Sequence, residues 1–224
     1  MNTRHWTDWV GFAVFLACGI RVMVQVPEFG IFLLPALLHQ FGVSLSFLLR
    51  RPVRAEARGW LPPLSAYASI LMLPIFGLAA ARWYPEWLAR TPSSTQASVA
   101  GLLLLGGSTF QVWCIWHMRR AFSIVPQARM LVTNGPYRYV RHPIYAMIVV
   151  QNLAGFLFQP TGAVLIAHLA WLAITVVRVN YEEQVMRKAF PEYEEYARRV
   201  GAFLPRPPRQ ESPASMPLGA PADS

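Results

Sequence analysis

The feature that most constrains this chain is a series of long apolar stretches: Trp9 to Val26, Phe29 to Leu49, Leu61 to Ala81 and Ala97 to Trp116. At about 1.5 Å of rise per residue, a helix over each of them crosses or nearly crosses a hydrocarbon layer about 30 Å thick. A chain built this way folds in a bilayer. Composition agrees, with 54% hydrophobic and 14% charged residues and a mean hydropathy of +0.33, a balance that would leave a soluble domain of this size poorly dispersed. Two shorter runs, Ile144 to Phe158 and Ala163 to Val177, flank Gln159-Pro160-Thr161-Gly162, whose Pro and Gly signal a tight turn. They read as a helical hairpin that either crosses with tilt or re-enters from one side. The expected fold class is all-α: a polytopic membrane protein with four long transmembrane helices, a C-terminal helical hairpin and a cytoplasmic helix.

The net charge of +9 raises the question of nucleic acid, but the cations sit between apolar runs and form no basic stripe with interleaved aromatics. Their placement instead sets orientation, because Lys and Arg favour cytoplasmic loops. With the amino terminus inside, Arg4, the loop of Arg50, Arg51, Arg54 and Arg58, the loop of Arg119, Arg120, Arg129, Arg138 and Arg141, and the basic carboxyl segment all fall on the cytoplasmic side. That accounts for seventeen of the twenty cations. Arg82 and Arg90 fall outside. Arg21 lies within the first run and reads as snorkelling to the far interface beside Gln25 and Glu28. The localisation expected is a multi-pass bacterial inner-membrane protein with both termini cytoplasmic. The first run has no small-residue cleavage pattern and reads as a retained helix. Cys18 and Cys114 both lie in apolar runs without a partner at metal spacing, which leaves neither a disulfide framework nor a zinc site. Residues 1–204 read as one integral-membrane domain, and the Pro-rich tail 205–224 as disordered.

Two cytoplasmic segments carry directional chemistry. The first runs from Leu131 to Tyr145, with the turn Asn134-Gly135-Pro136 and then Arg138, Tyr139, Arg141, His142 and Pro143. Pro143 suits the first position of the following helix, which puts His142 near a helix amino terminus where unpaired N–H groups favour an anionic group. Arg138 and Arg141 add bidentate donors, and Tyr137, Tyr139 and Tyr145 add flat surfaces and hydroxyls. Such a cradle suits an amino-acid-like or adenine-bearing ligand, although Arg and Tyr also anchor helices at membrane boundaries without binding anything. In the second segment, from Arg178 to Tyr196, Arg178 and Glu182 stand at i and i+4 on one helical face and can share a site. The alternative is a surface ion pair of little consequence. Glu194, Glu195, Arg198 and Arg199 read as solvated helix surface.

The run Gly135-Pro136-Tyr137-Arg138-Tyr139-Val140-Arg141-His142-Pro143-Ile144-Tyr145, followed by the hairpin, by Glu182-Glu183 and by Phe190-Pro191-Glu192-Tyr193-Glu194-Glu195-Tyr196, closely resembles the isoprenylcysteine carboxyl methyltransferase family and its bacterial relatives. The resemblance spans about residues 100–205. It implies a multispan helical enzyme with spans in 1–96 and a cofactor-binding half in 97–204. That half would enclose S-adenosylmethionine near the cytoplasmic face and admit a lipophilic acceptor from the bilayer. Carried over by position, the cofactor contacts fall on Arg129, Met130, Leu131 and Val132, with Arg129 standing where the family has His, and on Tyr137, His142, Pro143, Ile144, Tyr145 and Glu182. The acceptor-binding Arg falls on Arg178, and the catalytic group expected is Arg178, Glu182 and Arg141. No metal is implied.

A carboxylate acceptor needs no base, whereas a thiol or amine would need a proton removed and no residue is clearly dedicated to that. The expected function is therefore methyl transfer to a lipophilic acceptor, a carboxylate being favoured and a small thiol or lipid amine being alternatives. Two other classes compete. A sterol-reductase-like membrane enzyme using NADPH has a similar RHPxY arrangement, but the Glu182-Glu183 pair favours methyl transfer. A non-catalytic membrane binding protein would bind lipid without the adenosyl cofactor. Channel or transporter readings fit less well, since the spans carry few internal polar groups.

Overall fold

The computed structural model describes residues 6–25, 34–83 and 91–207. Arg4, Glu28, the Arg90 loop and the tail from residue 208 lie outside those residues, as do the ends of the first two runs and the side chains of Cys18, Arg21 and Gln25, so the expectations made for them are not taken further. Seven helices occur among the described residues: α1 (Trp6–Gln25), α2 (Leu34–Leu49), α3 (Leu61–Trp83), α4 (Ser94–Met118), α5 (Pro143–Phe158), α6 (Gly162–Ala189) and α7 (Tyr193–Arg199). Two short strands, β1 (Ala55–Glu56) and β2 (Gln127–Ala128), pair antiparallel with Ala55 opposite Ala128, and a 3-10 turn covers Gly135–Arg138. The molecule is thus mostly helical, as expected, with that small sheet beside the helices, while the expected count of four long transmembrane helices is not confirmed among the described residues.

Helix boundaries follow from local chemistry. A capping box starts α4: Ser93 Oγ accepts from Gln96 N–H at 3.3 Å while Gln96 Oε1 accepts from Ser93 N–H at 3.0 Å. Thr161 caps α6 through Oγ1, accepting from Val164 N–H, and Pro143 opens α5 with His142 at the cap position. Among the described residues α4 and α6 are the two helices long and apolar enough to cross a bilayer, while the apolar parts of α2, α3 and α5 are shorter. α6 continues past the second hairpin arm to Ala189, so Arg178 and Glu182 stand on one helix whose polar end leaves the apolar region. Most of the apolar stretches of α4 and α6 are not buried in the protein, and Leu102, Ile166 and Leu169 face outward. Lipid is the solvent that tolerates such a surface.

Packing order brings the polar ends together. α1 lies on α2, α2 on α4, α4 on α5 and α3 on α6. Polar side chains tie helices at depth: Ser44 Oγ donates to Phe12 O at 2.8 Å, and Trp171 Nε1 donates to Ser69 O at 2.9 Å. The two arms of the expected hairpin lean on different partners, α5 on α4 and α6 on α3, and open space lies between them. On the loop side, Arg51 N–H donates to Arg120 O and Arg54 N–H to Ala128 O, both at 2.8 Å. The 50–58 and 119–142 loops therefore share one face of the molecule.

Gly135 opens the turn before the site with φ +58°, a left-handed conformation that costs other residues. A Cβ added there would stand 2.5 Å from the His117 ring. Gly135→Ala is expected to destabilise the fold by roughly 1–3 kcal/mol, read as a lowered thermal midpoint of the full chain in detergent. An unchanged midpoint would remove this turn from the list of structural constraints.

Candidate active site

The site assembles where α6 leaves the apolar region, because two adjacent carboxylates there face different neighbours. Glu182 Oε1 accepts from Tyr145 OH at 2.7 Å and from Arg178 Nε at 2.9 Å. Arg178 is buried, and its remaining donors reach across to other elements: Nη1 to Ser69 Oγ at 2.8 Å and Nη2 to Ile124 O at 2.6 Å. Its guanidinium also lies 5.4 Å from the centre of the Tyr145 ring. The i, i+4 pairing anticipated for Arg178 and Glu182 is present, and it is a buried bridge to α3 and the 119–142 loop, not a solvated surface pair.

Glu183 faces the other way. Its Oε1 accepts from Arg141 Nη2 at 2.7 Å and Nε at 2.9 Å, and lies 3.2 Å from His142 Nε2, while Oε2 accepts from Arg187 Nη2 at 3.0 Å. Arg141 also donates through Nη1 to Ala197 O at 2.9 Å and to Val200 O. The segment after α7 folds back on the same residues, with Arg141 N–H donating to Gly201 O and His142 N–H to Ala202 O. The His142 ring packs against Tyr145 on one side and Phe203 on the other, at 5.8 and 5.9 Å between centres. With Nδ1 3.9 Å from Glu182 Oε2, His142 stands between the two carboxylates.

Two cavities meet at this point. A narrow cleft on the loop side is lined by Arg129, Met130, Leu131, Val132, Tyr193 and Tyr196. A wider chamber of about 620 Å³ lies among the helices, walled largely by apolar residues such as Phe15, Val43, Ile70, Ile115 and Ile148. Met118, Ser123, Tyr137, Arg141, His142 and Glu182 line both. Burial raises the Tyr137, Tyr193 and Tyr196 phenols above their ordinary range, so all three are neutral donors at neutral pH. Tyr137 OH lies 2.9 Å from Met118 Sδ, and Tyr196 OH donates to Tyr137 O at 2.6 Å. Among the described residues no three His, Cys, Asp or Glu gather as a metal site would require.

Of the residues expected to contact a cofactor, Arg129, Met130, Leu131, Val132, Tyr137, His142 and Glu182 line the cleft. Pro143, Ile144 and Tyr145 instead line the chamber, together with Arg178, because the first turn of α5 faces away from the cleft. Arg141 lines both, yet Glu183 and backbone carbonyls take its donors. Arg129 Nη2 donates to Gln127 Oε1 at 2.9 Å and Nη1 to Arg51 O, bracing the two basic loops. Sequence reasoning named Glu183 without giving it a role. The signal for one was Arg187 four residues on, which sets a second i, i+4 face beside that of Arg178 and Glu182. Glu194 with Arg187, and Glu195 with Arg199, form exposed pairs as expected of a solvated helix.

Residues 95–193 match the family model for phospholipid methyltransferases. Over 126 residues the chain is 29% identical to the cobalt-zinc-cadmium resistance protein CzcN of Cupriavidus metallidurans, covering 56% of this chain and 54% of that one. It is 39% identical over 85 residues to a probable protein-S-isoprenylcysteine O-methyltransferase of Oryza sativa, covering 34% of this chain and 40% of that one. Protein-S-isoprenylcysteine O-methyltransferase B of Arabidopsis thaliana is 33% identical over 78 residues, with 34% and 39% covered. The chain thus spans about half the length of the resistance protein and about two fifths of the plant enzymes.

The Arg141–Glu183 pair is buried, so removing one charge strands the other. Glu183→Gln is expected to cost about 3 kcal/mol of stability and to release the 200–203 segment from His142. A thermal melt and limited proteolysis of the full chain would record both effects. Wild-type resistance to cleavage in this segment would show that Glu183 does not hold it.

Proposed function

We propose that the chain transfers a methyl group from S-adenosylmethionine to a lipophilic acceptor at the cytoplasmic face of a bacterial inner membrane. A carboxylate is the favoured acceptor, and the four-span topology with both termini inside is part of this reading. The observation that carries it is the shared wall: a polar, aromatic-lined cleft and an apolar chamber open onto the same His142, Glu182 and Tyr137. A methyl donor and a membrane-borne acceptor would meet there without either leaving its own solvent.

The donor set fits such a cofactor. Glu182 keeps Oε2 clear of Arg178 and Tyr145, which both engage Oε1, and a carboxylate oxygen in that position accepts from an amino group or a ribose. Tyr193 and Tyr196 offer neutral faces to an adenine, and Leu131, Val132 and Met186 exclude water around them. S-adenosylmethionine, when bound, supplies an electrophilic methyl on a sulfonium, which an acceptor oxygen takes by in-line displacement to leave a neutral thioether. The residues align and exclude water and are not required to move a proton when the acceptor is a carboxylate. Arg178, held by Glu182, Ser69 and Ile124, lines the chamber, where its positive charge would face an anionic acceptor. Arg141 serves as a positioning residue, fixing His142 through Glu183.

Calorimetric titration of S-adenosylmethionine and S-adenosylhomocysteine into the full chain in lipid nanodiscs tests the reading. Saturable binding by wild type is expected, weakened at least about tenfold by Glu182→Ala, which removes a charged hydrogen-bonding partner, and also weakened by His142→Ala. Absence of binding by folded wild type, or consumption of NADPH in place of methyl transfer from labelled cofactor, would refute it.

A further inference from the structure

The chamber contains polar groups that the proposed methyl transfer leaves unused. Gln111 on α4 donates from Nε2 to Gln151 Oε1 on α5 at 3.1 Å, and Gln151 donates from Nε2 to Ser108 Oγ at 3.0 Å. All three line the chamber. The approach of the helices is close here, since a Cβ on Gly107 would stand 3.1 Å from Gln151 Cγ, and this fixes where the ladder sits. Gln111 is 4% exposed, yet its carbonyl Oε1 accepts nothing among the described residues. His39 on α2 lines the same chamber, and its imidazole makes no hydrogen bond among the described residues either.

Interhelical glue accounts for the two amide bonds. It does not account for an unused carbonyl oxygen and an unused imidazole facing an apolar cavity at membrane depth, where an unsatisfied polar group is costly. Resting on the reading of this chamber as the acceptor's, we infer that the acceptor carries a second, neutral hydrogen-bond donor at the end remote from the reacting group, in the chemical class of a hydroxyl. The carbonyl of Gln111 demands a donor. An ammonium would donate but would lose its hydration with no carboxylate among these residues to compensate it. A hydroxyl donates to Gln111 and also matches a neutral imidazole, which offers one donor and one acceptor. Gln151 lies six residues past Tyr145 on α5, about 9 Å along the axis, so the hydroxyl is separated from the shared wall by an apolar spacer. A plain alkyl or isoprenoid chain leaves the ladder unpaired and binds less well.

The test uses the full chain in lipid nanodiscs and a fluorescent alkyl carboxylate displaced by dodecanoate, ω-hydroxydodecanoate or ω-methoxydodecanoate, with S-adenosylmethionine affinity measured on the same samples. In wild type the hydroxy acid is expected to displace the probe at roughly tenfold lower concentration than dodecanoate, and the methoxy acid, which cannot donate, to behave like dodecanoate. Gln111→Met combined with Gln151→Met, which removes both amide carbonyls from the chamber, is expected to abolish the preference, so that the hydroxy acid displaces the probe no better than dodecanoate. The methoxy comparison needs no variant and stands even if that protein fails to fold. Equal displacement by all three acids, no displacement by any, or a preference that survives the paired Gln111→Met and Gln151→Met substitutions would overturn the inference. Loss of cofactor binding with the hydroxyl preference intact would overturn the methyl-transfer reading alone. Cofactor binding without the preference would overturn this inference alone.

Discussion

Glu182 and Glu183 are neighbours on one helix, and because successive residues turn by about 100° their carboxylates enter different networks. The loop-side half of the molecule is assembled around that divergence. Glu182 gathers Tyr145 of α5 and Arg178, and through Arg178 reaches Ser69 of α3 and the carbonyl of Ile124. Glu183 gathers Arg141, His142 and Arg187, and through Arg141 the carbonyls that follow α7. His142 is held between the two. Arg178 and Arg141 also spend donors on backbone carbonyls, so each of these buried charges is both paired and hydrogen-bonded, the condition under which burial is tolerated.

The fold was legible in the sequence to the extent that it depends on local signals. Apolar run length gave the helices, Pro143 marked the start of α5, and the clustering of Arg placed the 50–58 and 119–142 loops on one side, where β1 and β2 join them. Cross-molecular pairing was not legible. No periodicity indicates that Arg178 would reach Ser69, some 109 residues earlier, or that residues 201 and 202 would satisfy the backbone of 141 and 142. The site was read in the same uneven way. The i, i+4 relation of Arg178 and Glu182 follows from helical geometry, whereas the division between cleft and chamber depends on which way the first turn of α5 faces. The chamber ladder was missed because Gln111 and Gln151 sit singly within apolar runs, forty residues apart, and meet only when α4 packs on α5.

The segment that matches the phospholipid methyltransferase family model, residues 95–193, holds most of the cleft, but it does not close the chamber. Phe15, His39, Val43, Ile70 and Pro74 come from α1, α2 and α3, outside the matched segment. The polar junction and the apolar enclosure therefore come from different parts of the chain. Sequence change in α1 and α2 can reshape the chamber while the carboxylate networks on α6, which among the described residues reach α3 only through Ser69 and Ala66, stay as they are.

The strap formed by residues 200–202 carries a consequence for how the protein is made. The amides of Arg141 and His142 find their acceptors on Gly201 and Ala202, some sixty positions further along the chain. During synthesis from the amino terminus, α4, α5 and α6 can all be threaded into the bilayer before those acceptors exist. The helices that frame the site are thus made before the junction between its two cavities is closed.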